Sequence, residues 1–176
     1  SLLLNERLGL EEILETFLDH IGEVVPYQAG AFYLLDQRTG DLQWLAHRGY
    51  PEGTDDQMRL KLGQGASGWV AKSGRPLVIS DVRQSPHYIA ARPGTRSEIV
   101  VPIISESRVL GVFNLESDRR DAFRTADLRL LEAFANQAAI SIQRAQFFRE
   151  LREKERLDDE MRFARDASDY IVFMDR

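Results

Sequence analysis

The stretch Gly63-Gln64-Gly65-Ala66-Ser67-Gly68-Trp69-Val70-Ala71-Lys72-Ser73-Gly74-Arg75-Pro76 carries the G-x-G-x-x-G spacing of a dinucleotide-binding turn, and the residues just after the glycines decide the fold. In a dinucleotide site the glycines open a long helix whose N-terminus holds a pyrophosphate. Here Gly74 and Pro76 cut the helix off after about two turns. A crossover that short cannot join parallel strands in a βαβ unit, which takes roughly 30 residues. Asp81, the candidate for a ribose-binding acid, comes too early after the glycines. The motif therefore reads as a short helix set against an antiparallel sheet, and an NAD(P)-dependent oxidoreductase is the least favoured function.

Working outward, an amphipathic helix is expected upstream from Leu10 to Val25, with apolar Leu10, Ile13, Leu14, Phe17, Leu18, Ile21, Val24 and Val25 at three- and four-residue spacing. Pro26 is expected to end it, and residues 1–9 read as a helical lead-in broken from it at Gly9. Ala29 to Leu35 and Leu42 to Arg48 form a hairpin around Asp36-Gln37-Arg38-Thr39-Gly40-Asp41, and Met58 to Leu62 is a third strand. Downstream, Leu77 to Val82 reads as a strand, followed by a polar loop with a short helix. Ser97 to Ile104 and Val109 to Ser117 form a second hairpin. Thr125 is the expected N-cap of a long helix, with Asp127 suited to its positive end. The fold class is α+β: a mostly antiparallel five- to six-stranded sheet, terminal helices on one face, and short helices and loops on the other.

The apolar stripe of the last helix is dense through Ala145 and then thins to Phe147, Leu151, Leu157, Met161 and Ala164, in the four-three spacing of a coiled-coil seam that slips between Leu151 and Leu157. Those five residues are the candidate dimer and signalling helix. The alternative is a single solvated helix, because Lys154 and Asp158 suit a seam poorly.

Composition narrows the function. The formal charge of −5 and the lack of a basic cluster argue against nucleic acid. With zero cysteines, the 176 residues hold no disulfide, Cys-ligated zinc, thiolate catalyst or thioether-linked chromophore. No apolar run reaches the length of a membrane span, and the first residues lack the basic flank of a signal peptide, so a cytoplasmic location is expected. No residues suggest a catalytic set or a metal site: Asp55-Asp56 and Asp158-Asp159 are adjacent solvated pairs, and Ser80, Asp81 and His87 lack a nucleophile elbow.

The run Gly63 to Ala71, then Arg75-Pro76-Leu77 with Ile79 to Val82, Ser97 to Ile103, Val109 to Leu115, and Ala122 to Leu128 with Ala133 to Ala139 resembles, in order and spacing, the GAF domain family. The resemblance covers roughly Leu10 to Phe148, which gives a domain at 10–148, a coiled-coil linker at 149–168 and the possible start of a following domain at 169–176. It implies a non-enzymatic sensory or regulatory domain in which a pocket beside the glycine helix takes an unidentified small molecule. It also implies a parallel homodimer that relays a signal to an output domain in cis. The linker resembles those before phosphatase and kinase domains, and Asp169 to Arg176 resembles the opening strand of a PAS domain. A ligand-free dimerisation module is the alternative.

Cyclic-nucleotide-binding relatives carry Asn-Lys ahead of Phe-x-x-x-Asp; Phe123 and Asp127 are kept, but Glu116-Ser117 stands in place of Asn-Lys. Bilin attachment and GAF-type methionine sulfoxide reduction both need cysteine. Of His20, His47 and His87, His87 in the loop over the expected pocket is the best placed for a haem ligand, and a surface or capping histidine is the favoured reading. No cofactor is required by the sequence. The candidate pocket residues are Trp69, Asp81, Tyr88, Arg96 and Ser97. Each has a plainer role open to it: core packing for Trp69, a loop anchor for Tyr88, a surface cation for Arg96.

Overall fold

The computed structural model describes residues 2–54 and 59–174. Six strands form one antiparallel sheet in the order β3-β2-β1-β6-β5-β4. The strands are β1 (Ala29–Leu35), β2 (Asp41–Arg48), β3 (Leu60–Lys61), β4 (Leu77–Ile79), β5 (Ser97–Ser105) and β6 (Arg108–Ser117). The helices are α1 (Leu2–Gly22), α2 (Gly65–Ser73) and α3 (Thr125–Met174), with a 3-10 turn at Val82–Gln84. Glu106 and Ser107, at φ 50 and 64, make the tight β5–β6 turn, whose twist matches that of the paired strands.

Because side chains alternate along each strand, the sheet has two unlike faces. One carries Phe32, Ile99, Val101, Ile103, Phe113 and Leu115 against Leu14, Leu18 and Ile21 of α1 and Leu131, Ala135, Ala138 and Ile142 of α3. Phe32 and Phe113 stack at 4.0 Å, and Phe17 meets both Phe32 and Phe134 edge-on. The opposite face carries Ala31, Tyr33, Val100 and Val112 beneath α2 and the connection between β4 and β5.

The structure corrects several sequence expectations. α1 runs through Gly9 without a break: burial of Leu10 and Leu14 on either side of a helix turn offsets the cost of one glycine, about 1 kcal/mol. It ends at Gly22 rather than at Pro26, leaving Val24 67% exposed while Val25 turns into the core. The third strand is only Leu60–Lys61; Met58 lies outside the described residues. β4 stops at Ile79, and Asp81 leaves the strand to cap the 3-10 turn. Thr125 is the first helical residue rather than the cap, and Asp127 accepts a 2.7 Å hydrogen bond from the Arg124 backbone N–H, the reach-back half of a capping box. The stretch expected to open a PAS-like strand is helical from Asp169 to Met174; residues 175–176 lie outside the described residues.

α3 is thus one helix of 50 residues, about 75 Å long, and only its first part lies on the sheet. Phe147, Leu151, Leu157 and Met161 are 61%, 42%, 47% and 66% exposed, and Ala164 is exposed as well. Beyond the domain the helix is braced by Arg156, which donates to Glu153 at 2.6 Å and to Glu160 at 2.7 Å.

Candidate functional site

The glycine loop spends its own backbone donors. The Gly63 N–H donates to the Gly68 carbonyl and the Gln64 N–H to the Lys61 carbonyl, both at 2.8 Å, so neither amide is presented to an anion. Gly65 sits at φ +65, and a Cβ on Gly68 would lie 2.3 Å from the Lys61 carbonyl oxygen. The motif therefore follows from a tight turn and a close helix-strand approach, without a pyrophosphate.

The chemistry of the loop-side face lies one layer deeper. The register of the β5–β6 hairpin sets Glu98 directly opposite Glu116 and Val100 opposite Asn114. Period-two alternation then aims Glu98, Asn114 and Glu116 to the same side as Tyr33, away from the helices. All three are buried, at 4%, 1% and 2% exposure. A bulge between Phe32 and Tyr33 sets Trp44 across from Tyr33 on this face, and Trp44 in turn packs on Tyr50 at 4.8 Å and His47 at 4.4 Å.

Glu116 is heavily solvated by the protein itself. One carboxylate oxygen accepts from the Tyr50 hydroxyl at 2.8 Å and lies 3.5 Å from the Asn114 amide; the other accepts from the Thr95 hydroxyl at 2.6 Å. Among the described residues Glu98 accepts a hydrogen bond from the Asn114 amide alone, at 3.1 Å. Three donor contacts against one favour the charge on Glu116 over Glu98. Burial and the facing Glu116 push the Glu98 carboxyl up to about 8, and burial raises Glu116 too, against the pull of its donors. Burial also raises the Tyr33 and Tyr50 hydroxyls, and burial followed by the charge of Glu116 pushes Tyr88 up to about 12. At the rim, Arg92 binds both the Thr95 hydroxyl and Asp118.

The five residues singled out from sequence fall into two groups. Trp69 and Tyr88 pack on the loop-side core, with the Trp69 ring 5.2 Å from that of His87. Asp81, Arg96 and Ser97 join instead in a clip beside it. Asp81 holds the Arg83 N–H at 3.1 Å and the guanidinium groups of Arg120 at 3.1 Å and Arg96 at 3.7 Å, while the Ser97 hydroxyl donates to the Arg119 carbonyl at 2.6 Å. The sequence reading missed Glu98, Asn114, Tyr50 and Thr95, and took Glu116 only as a departure from a nucleotide signature. The available signal was two glutamates inside β-branched strands, each an even number of residues from a buried apolar neighbour.

The GAF domain family matches residues 8–143. The chain belongs to that family. A GAF domain-containing protein of Dictyostelium discoideum is 30% identical over 73 residues, 42% of this chain and 46% of that one. A sensor-like histidine kinase of Chloroflexus aurantiacus is 25% identical over 177 residues, covering 96% of this chain but 29% of its own. Among solved structures, the free methionine-R-sulfoxide reductase of Neisseria meningitidis, determined with its substrate, aligns at a TM-score of 0.70 and 25% identity over 82% of this chain and 87% of that one. This GAF domain thus spans less than half the length of either relative matched by sequence. Among the described residues no helix is long and apolar enough to cross a membrane.

Proposed function

We propose that this GAF domain is a non-catalytic sensory module whose loop-side face takes a small ligand bearing a protonated amine, and whose α3 helix pairs with a second copy to relay the bound state to an output domain. The observation that carries the ligand class is the buried Glu98–Asn114–Glu116 row walled by Tyr33, Trp44, Tyr50 and Tyr88. Carboxylates supply charge and acceptors for an ammonium, and aromatic faces add attraction for a cation. The reductase of free methionine sulfoxide, itself an amine-bearing molecule, supports the class. The redox step does not carry over, because the 176 residues hold no cysteine.

The relay rests on α3. A solvated helix bearing Phe147, Leu151, Leu157 and Met161 is marginal alone, and a second copy would bury this stripe together with Ile13, Ile140 and Phe148 at the α1–α3 groove. The alignment with the sensor-like kinase extends through this helix, which fits an output domain in cis.

Calorimetric titration at pH 7.5 with a panel of amino acids and simple amines, against carboxylic acids lacking the amine, tests the ligand class. At least one amine should bind, and Glu116→Gln should weaken it about tenfold or more by removing one charge-assisted contact. No binding by any amine, with or without the substitution, would leave the ligand-free dimerisation module. Separately, Leu151→Glu with Leu157→Glu should turn a dimer in sedimentation equilibrium into a folded monomer. A wild-type monomer at high micromolar concentration would remove the relay.

A further inference from the structure

On the helix side of the sheet, where α3 begins to leave the domain, α1, the β1–β2 hairpin and α3 surround a partly enclosed cleft of about 120 Å³. Spacing fixes what lines it. Ile142, Gln146 and Arg149 follow one another at four and three residues along one side of α3, Arg7 and Leu10 are three apart on α1, and Gln43 and Leu45 share a face of β2. The floor belongs to the helix-side core: Leu10 and Ile142 are buried, and Leu45 packs against the same cluster. The rim is polar, with Gln146 half-buried and Arg7, Gln43 and Arg149 exposed.

The rim holds more donors than acceptors. Arg7 spends its Nε on Glu11, at 2.9 Å one turn along α1, which leaves its terminal nitrogens without a protein acceptor among the described residues. Arg149 makes no ion pair among those residues; Glu153, one turn further on, is bound by Arg156 at 2.6 Å. Neither Gln43 nor Gln146 makes a side-chain hydrogen bond there. No described acidic residue lines the cleft, so two guanidiniums against the one glutamate on Arg7 leave its mouth positive, in a chain whose formal charge is −5. Water satisfies such a rim but finds no partner on the floor. Phosphate would meet the rim and leave the floor uncovered, and a dicarboxylate would set a charge against Leu10 and Ile142. A single carboxylate on a short apolar tail meets both. At roughly 30 Å³ per water-sized group the cleft takes about four such groups, the size of a tail of about three carbons with its head at the rim.

We propose that this cleft is a second ligand site, for a short-chain monocarboxylate whose head meets the guanidiniums of Arg7 and Arg149 and whose tail lies against Leu10, Leu45 and Ile142. Guanidinium–carboxylate pairing supplies the charge-assisted contacts. The bound acid ties α3 to α1 and β2 at the last turns before the helix leaves the sheet, the stretch any signal in α3 has to cross. Its residues on α3 face another side of the helix from Ile140, Ser141, Arg144 and Phe148, so a second copy seated on that groove does not need them. The site depends neither on the amine reading nor on pairing of α3.

Titration of sodium butyrate into the isotope-labelled full chain at pH 7.5, followed by amide chemical shifts with sodium chloride as the control, reads the site directly. Saturable shifts should centre on residues 7–10, 43–45 and 142–149, the side-chain amides of Gln43 and Gln146 included, with a dissociation constant of about 1 mM, a level that a ligand of about six non-hydrogen atoms can reach. Arg149→Ala, at an exposed position, should leave the rest of the spectrum unchanged and weaken butyrate about tenfold. Butanol, with the same tail and no charge, should also bind about tenfold more weakly. Shifts that stay linear to about 50 mM or scatter over the surface overturn the proposal, and so does an affinity that Arg149→Ala leaves unchanged or that butanol equals. The carboxylic acids of the calorimetric panel reach this cleft too: heat that Arg149→Ala removes belongs here, and heat that Glu116→Gln removes belongs to the loop-side face, so the two proposals fail separately.

Discussion

The two faces of the sheet are built from the same strands and differ by one residue of register. On the helix side the inward positions of β5 and β6 are apolar, from Ile99 and Val101 to Phe113 and Leu115, and two helices close it. On the loop side the same strands present Glu98, Asn114 and Glu116, and the segment before β5 is tied to them through Thr95, which donates to Glu116. The helix side collects the apolar burial that stabilises the domain. The loop side loses stability by burying two carboxylates, and such a cost persists at functional sites when the rest of the fold supports it.

Substitutions on the two faces should therefore behave differently. The largest effect is expected from Phe113→Ala, which empties the stack on Phe32 and should cost about 3–5 kcal/mol in urea unfolding, independent of pH between 6 and 9. A loss below about 1 kcal/mol would mean that the helix side is not the principal core.

Much of the helix side was legible in the sequence because periodicity carries it. The three- and four-residue spacing of Leu14, Phe17, Leu18 and Ile21, and of Leu131, Phe134, Ala135 and Ala138, needs no partner to be read. The two hairpins, the short glycine helix and the long terminal helix were readable from equally local signals. The loop-side acids were not, because their meaning depends on strand pairing: Glu98 and Glu116 become a pair only through the register of a hairpin whose bulge falls between Ile103 and Ile104. Asp81 and Arg96 stand out in the sequence by charge and by position near the expected pocket, and charge alone does not show that they bind each other. At the other end, Ile171, Val172 and Phe173 have strand-like composition, yet they extend an existing helix, where adding a residue costs far less than starting a new element.

The most direct test of the face comparison is the pH dependence of folding stability in the natural sequence and in Glu98→Gln. A carboxyl raised to about 8 in the folded state, and ordinary in the unfolded chain, binds its proton more tightly when folded. Its contribution is fully present below about pH 4, where the unfolded carboxyl is protonated too, and is lost as pH climbs through the folded value. Between pH 6 and pH 8 the natural sequence should lose up to about 1.4 kcal/mol per pH unit, and Glu98→Gln should flatten most of that slope. Parallel slopes in the two proteins, or stability that rises over this range in the natural sequence, would contradict a buried acid pair holding one proton.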